Sequence, residues 1–498
     1  MPGCAVCLPS IGRLRRRGPG RPQDRRPCTI DILNDDALLN VFYLYPQDIA
    51  ATFDDLLSLP DWDKARWWYK LAHVCQRWRR IILASPVRLG LQLVCTYGTP
   101  VTDMLSHSPP LPLIINYMDE IRDLSVKDEE AILLALQDRS RVHRIGLMMP
   151  ATNLLKPIMA MDGQFPVLER LFIWPTSEDN MTLLLPTEFQ APHLRMLSLT
   201  HVVLPMRSPL LTAAVGLVSL GLWEMPPLAH FQPSNLVARL SSMPQLECLS
   251  IGFKSAVPAR DVEGQLFYTP VVTLITLPNL RMCFFRGVSA YLDGLLARIS
   301  TPLLEVLHIR LYNQLTFTVP HLLQFMARTE SLRFGSAKLS FYQDNFILTA
   351  DRGGQNRINP FCVAIGCRHV DWQVSAAAQI FNALVPALSV VERLSLSYEE
   401  EHGVLSEQQH NEIGRTQWRE VLRPFSSVKV LQVADGLIRN LSHSLQPEVG
   451  EPPLELLPQL KELVYYKGGE PNDAFTSFLH TRQTVGRPVA FINTDHPS

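Results

Sequence analysis

The 498-residue chain has no excess of charge: 46 Lys and Arg against 47 Asp and Glu leave a net charge of -1. No global field exists to draw in nucleic acid or an anionic membrane, and neither is expected as a partner. Long hydrophobic runs are missing as well. The longest, Leu210 to Trp223, is interrupted by Thr212 and Ser219 and falls short of the roughly 20 residues that span a bilayer. Cysteine is sparse and unframed, with nine residues at positions 4, 7, 28, 75, 95, 248, 283, 362 and 367. That odd, irregular set suits a reducing compartment, cytoplasm or nucleus.

Signatures of chemistry are also lacking. The sequence contains no G-x-x-x-x-G-K-[ST], no H-E-x-x-H, no G-x-S-x-G and no strand-coupled G-x-G-x-x-G. Cys4 and Cys7 form a lone C-x-x-C. Cys362, Cys367 and His369 are close in sequence but have no fourth ligand, so buried thiols beside a surface histidine are expected rather than zinc. His143, His193, His308 and His321 are read as structural or solvent-facing. No enzymatic activity, metal or cofactor is expected.

What is present is a folded composition, 47% hydrophobic and 19% charged, in a chain too long for one ordinary core. Residues 1–28 stand apart. They carry Arg13, Arg15, Arg16, Arg17, Arg21, Arg25 and Arg26 against Asp24, with Pro and Gly interleaved and no apolar signal core. Disorder is expected there, as a nuclear-import or nucleic-acid tail or as an inert solvated one.

From Asn34 the pattern turns helical. Asn34 can cap, Asp35 and Asp36 occupy the first turn, and Leu38, Val41, Phe42 and Tyr45 recur on one face. A short helix is expected around Phe53 to Leu57. A longer one is expected from Asp63 to Ala84, with Leu71, Val74, Cys75, Trp78, Ile81 and Ile82 on one side and Pro86 ending it. A module this small, residues 29–90, buries too little surface to be robust by itself.

The run Leu33-Asn34-Asp35-Asp36-Ala37-Leu38-Leu39-Asn40-Val41-Phe42, followed by Leu71-Ala72-His73-Val74-Cys75-Gln76-Arg77-Trp78, resembles an F-box. It departs from the family pattern at Asn34, usually proline, at Asp36, usually glutamate, and in a longer spacer, as in divergent F-boxes of large fungal families. The resemblance implies a helix-in-groove contact with a Skp-type adaptor and, through it, a cullin. Leu33, Asp36, Leu38, Val41, Phe42, Val74, Cys75 and Trp78 would carry that contact.

From residue 142 one phrase repeats: an anchor, two residues, a second anchor, one residue, a third anchor, often with proline two before the first. It reads Val142, Ile145, Leu147; Leu168, Leu171, Ile173; Leu194, Leu197, Leu199; Leu217, Leu220, Leu222; Leu246, Leu249, Ile251; Leu280, Cys283, Phe285; and Leu304, Leu307, Ile309. It returns at Val391, Val428 and Leu460. The last two anchors alternate with other residues as in a half-buried strand, and helical stretches lie between. Among these are Asn235 to Ser242, Ser289 to Ile299, His321 to Arg328, Ser375 to Leu384, Thr416 to Leu422 and Asp473 to His480. Between Phe334 and Val391 the phrase fails, and Leu339 to Leu348 and Phe361 to Ile365 read as strands of degenerate repeats.

A strand and a helix repeated at such intervals stack into a solenoid. The arrangement resembles leucine-rich repeats, as found behind the F-box in many fungal F-box proteins. The expected fold class is α/β: an all-helical F-box, a connecting or capping segment over 91–141, a horseshoe with a parallel sheet over 142–485, and a tail over 486–498. Strand parity then sends Arg170, Phe172, Trp174, Trp223, Phe284, Arg286, His308, Arg310 and Tyr466 to the concave face as target-binding candidates. The implied function is substrate recognition in an SCF-type ubiquitin ligase, or a scaffold that binds protein partners without ubiquitination.

Overall fold

The computed structural model describes residues 32–45, 65–119, 121–176, 181–205, 207–226, 231–255, 274–312, 317, 319–329, 332–352, 359–367, 370–398, 415–434, 437–446, 455–466 and 475–494. The basic tail and the helix expected at Phe53 to Leu57 lie outside them. Two compact units divide the chain: Met1–Ala50 with Tyr69–Gly90, and Ala51–Trp68 with Leu91–Ser498.

In the first unit, helix Asp35–Leu44 begins where expected, with the Asn34 side chain accepting from the Ala37 amide at 2.8 Å. The long helix expected from Asp63 is instead broken. Helix Trp67–Ala72, which enters this unit at Tyr69, ends before His73, and helix Gln76–Ala84 restarts with Cys75 as its N-cap. The break rotates Val74 and Cys75 away from the face that buries Ile81 and Ile82. Phe42 meets Trp78 edge to face at 4.9 Å, and Arg77 ties Asp35 at 2.8 Å and the Leu33 carbonyl at 2.6 Å.

The second unit is mixed α/β. Its strands are β1 (Leu93–Cys95), β2 (Leu113–Tyr117), β3 (Val142–Met149), β4 (Arg170–Pro175), β5 (Leu183–Leu184), β6 (Met196–Thr200) and β7 (Val202–Val203). Then come β8 (Ser219–Met225), β9 (Cys248–Phe253), β10 (Ile275–Thr276), β11 (Met282–Gly287), β12 (Ile299–Ser300) and β13 (Val306–Leu311). The series closes with β14 (Ser336–Phe341), β15 (Asn345–Asp351), β16 (Phe361–Gly366), β17 (Arg393–Tyr398), β18 (Val430–Ala434), β19 (Glu462–Tyr466) and β20 (Ala490–Thr494). Except for the short pairs β5–β7 and β10–β12, all of these join one 16-stranded, mostly parallel sheet.

The repeated prolines have a local cause. In Phe165-Pro166-Val167-Leu168 the Leu168 amide donates to the Phe165 carbonyl, and the same turn recurs at Ala191 to Leu194, Met243 to Leu246, Leu277 to Leu280 and Thr301 to Leu304. Proline sits second in each, where its fixed φ suits a β-turn. Each turn delivers the next strand in the same register. Leu171, Leu197, Leu220, Leu249, Cys283 and Leu307 therefore form one buried row across the sheet.

Three expectations are corrected. The sheet begins at Leu93 rather than at residue 142, so β1 and β2 make the segment 91–141 part of the array, and β20 carries it past residue 485. Leu339 to Leu348 is not one strand. Gln343 and Asp344 form the turn of an antiparallel hairpin, closed by the Tyr342 amide on the Asn345 carbonyl at 2.8 Å. The order β13-β16-β15-β14-β17 shows the chain skipping ahead and filling the gap on its return. Gln373, fully buried on helix Val370–Ala383, pins this detour by donating to the carbonyls of Tyr342 and Cys367 at 2.8 and 2.7 Å.

Candidate protein-binding surface

On the face opposite the buried leucine row, Arg170, Phe172, Trp174, Trp223, Phe284, Arg286, His308 and Arg310 are half-buried or exposed, while Cys248, Met282 and Val306 form a buried cluster. Strand parity places the expected residues there. On β4, Leu171 and Ile173 are buried, whereas Arg170 and Phe172 are half-buried and Trp174 is exposed. Along the open face the parallel register aligns Gly146, Phe172, Ser198, Gly221, Ser250, Phe284 and His308 in one row. Small residues in mid-row between aromatic ends leave a hollow of about 410 Å³, lined by Phe172, Trp174, Ser198, Trp223, Ser250 and Arg286 among others.

Trp223 lies along the floor of this hollow. It can do so because Gly221 and Gly252 carry no Cβ: one added at Gly221 would stand 3.3 Å from the indole nitrogen. Phe172 is held from the other side against the buried pair Val94 and Ile114, together with Ala65.

A polar rim closes the end where the strands leave the sheet. Glu224 accepts from Arg286 at 3.1 Å and contacts His201 Nε2 at 3.0 Å. His201 and Glu224 both adopt left-handed backbone, φ 57° and 48°, which costs a non-glycine residue about 1 kcal/mol. The bulge between Leu222 and Met225 turns Glu224 toward Arg286. The Arg286 guanidinium lies over the Tyr312 ring at 5.6 Å, and the Tyr312 hydroxyl donates to the Phe253 carbonyl.

Beside the hollow, Phe284 meets His308 edge to face at 5.2 Å, and His308 Nε2 donates to the Asn359 carbonyl at 2.8 Å. Burial holds the His308 pKa below its ordinary value, with the Asn359 bond opposing. Arg310 is exposed. The Tyr466 side chain and His369 lie outside the described residues.

No family model and no curated protein matches this chain. Among solved structures it is similar to the leucine-rich repeat-containing protein LegL7 from Legionella pneumophila. That match has 10% identity over 78% of this chain and 97% of the other, with a TM-score of 0.24. The leucine-rich, repeat-like character of the second unit is read from its own strand register, not from that superposition.

Parity also selects a residue that the aromatic-centred reading passed over. Arg144 stands two after the anchor Val142, as Arg170 stands two after Leu168, and the two are register partners on β3 and β4. Its Nε is buried without a hydrogen-bond partner. Burial, helped by the charge of Arg170, lowers its pKa to about 10. His201 and Glu224 were not accessible in this way, because a left-handed bend has no signature in a run of strand-forming residues.

A larger hollow of about 820 Å³ lies where the strands enter, lined by Pro110, Pro112, Arg141, His143, Glu169 and Arg195 among others. It follows from the proline turns. Its groups are engaged locally, Arg141 with Asp138 at 2.9 Å and His143 with Glu169 at 3.2 Å. Among the described residues that line it there is no Phe, Tyr or Trp, the aromatic anchors that dominate protein interfaces.

In the first unit the expected adaptor residues separate into two groups. Leu38 and Phe42 are buried, and Trp78 is half-buried against Phe42, so these three hold the module together rather than offer a surface. Leu33, Asp36 and Cys75 are exposed, as are Val41 and Val74 at 50% and 58%. Leu44 and Tyr45 extend the exposed apolar set.

Proposed function

We propose that this chain is a substrate-recognition subunit of an SCF-type ubiquitin ligase. In this reading the first unit docks on a Skp-type adaptor and the open sheet face of the second holds a target protein. The observation that carries it is the pairing of two features. A small helical unit leaves Leu33, Val41, Leu44 and Val74 in solvent, and a separate repeat unit carries a hollow lined by Phe172, Trp174 and Trp223. Several exposed apolar residues on so small a module support an interaction site there. Aromatic and arginine side chains in a depression are what a protein hot spot is made of.

The mechanism is proximity. Adaptor and cullin bring a charged ubiquitin-conjugating enzyme to a lysine of the captured target, which raises local concentration without chemistry by this chain. Cytoplasm or nucleus is the matching compartment. Affinity purification with the proteasome inhibited tests the reading, comparing the whole chain with one lacking residues 30–90. Recovery of adaptor and cullin by the whole chain alone supports it. Recovery of partner proteins with neither adaptor nor cullin favours a scaffold that binds without ubiquitination.

A further inference from the structure

We propose that this chain forms a two-fold dimer through β20, the last strand of its repeat unit, so that two copies join end to end into one continuous sheet. The inference is independent of the target site, because β20 ends the strand order of the sheet and lines no part of the hollow.

The first argument is an apolar row that runs into solvent. From Phe361 the row on the leucine face passes in register through Ala350, Ala337, Leu394, Leu431 and Leu463, and all six are buried. The next partner in that row is Phe491, which is 38% exposed. On the opposite face Ile492 is 39% exposed, although its register partner Val464 is buried. Both faces of β20 therefore present apolar side chains. A terminal repeat needs a polar outer face to stay soluble, unless something covers it.

The second argument is the edge itself. The Ala490 amide donates to the Lys461 carbonyl at 2.8 Å, so Ala490 and Ile492 turn their backbone groups toward β19, and Phe491 and Asn493 turn theirs outward. The outward N–H and C=O of Phe491 have no hydrogen bond to a described residue. Edge strands that avoid pairing carry charge, proline or a bulge, whereas Ala490-Phe491-Ile492-Asn493-Thr494 holds neither charge nor proline.

The opposite end of the sheet is closed. The Leu93 amide donates to Pro112 on the side of β2, and the outward carbonyls of Gln92 and Val94 accept from Trp68 Nε1 at 3.0 Å and from Arg66 at 3.5 Å. With β1 occupied by these side chains, copies cannot add head to tail into a fibre. Pairing confined to β20 closes after two chains.

Symmetry then selects a second copy as the occupant. An antiparallel pair with Ile492 on the two-fold axis sets Phe491 of one copy against Asn493 of the other, and these exchange both backbone bonds. The two Ile492 residues face each other with Cα atoms about 4.5 Å apart. No like charges are opposed along the strand, so β20 fits itself.

The test is sedimentation equilibrium of the full chain, which is expected to give the mass of two chains. Asn493→Pro removes an outward N–H at a place where an edge strand tolerates proline, and should return the mass to one chain. Ile492→Lys and Ile492→Glu should each be monomeric. Their equimolar mixture should recover the dimer, because opposite charges then meet across the axis. Thermal melts check the fold of every variant. A monomeric wild type overturns the proposal and leaves the edge to a strand of a different protein. A dimer that survives both Ile492→Lys and Asn493→Pro is held elsewhere and also overturns it, as does a mixture of the two charged variants that stays monomeric.

Discussion

The indole of Trp223 lies over the backbone of Gly252: a Cβ added to that glycine would stand 2.8 Å from Trp223 Cε3. Real Cβ atoms do not approach that closely, so Gly252→Ala must displace the ring. The cost is expected to be about 1–3 kcal/mol, with shifted tryptophan emission. Gly221→Ala, at 3.3 Å from the indole nitrogen, should cost less. Urea denaturation followed by fluorescence checks both, and identical behaviour of the two variants would contradict the geometry.

Core and surface of the helical module predict different failures. Leu38→Ser or Phe42→Ser removes a buried anchor and should unfold the module, at about 2–5 kcal/mol. Val41→Asp with Val74→Asp alters exposed positions, and should leave circular dichroism intact while adaptor capture is lost. Capture undiminished by the second pair would move the adaptor contact elsewhere on the module.

In the array, Leu249 and Leu307 are fully buried. Truncation of either to Ala should cost about 2–5 kcal/mol through lost burial and the cavity left behind. Because repeats couple chiefly to their neighbours, hydrogen exchange should rise first in β9, β11 and β13 and leave β19 protected. Uniform loss of protection would argue against a solenoid.

His308 predicts a pH dependence of stability. Burial lowers its folded pKa below the ordinary 6.5. Above 6.5 the ring is neutral in both states. As pH falls through that value the unfolded chain takes up a proton that the folded chain resists, so stability is lost toward pH 5. His308→Gln should flatten that part of the curve, read from urea titrations across the range. A steeper acid loss in the variant would reverse the assigned sign.

The parts of this molecule that were legible in its sequence are those set by short-range chemistry. Asn34 and the two following aspartates announced a helix start, and the proline two before many of the leucine phrases announced a turn and a strand. Parity alone put Arg170, Phe172, Trp174 and Trp223 on the open face. Legibility ended where a single polar turn interrupted an apolar run, as at Gln343 and Asp344, or where a helix broke without proline or glycine, as at His73. β1 and β2 escaped because their segment lacks the phrase. The burial of Leu38 and Phe42 could not be separated from the exposure of Val41, since periodicity shows that a face exists and not what covers it.

We propose that the aromatic hollow holds the target. The most direct test is affinity purification of the whole chain and of Trp174→Ala with Trp223→Ala, with the proteasome inhibited and quantified by mass spectrometry. The account predicts that adaptor and cullin are retained by the variant while the other captured proteins fall at least tenfold, the scale of losing two aromatic anchors. An unchanged set of captured proteins, with the variant folded, would contradict it.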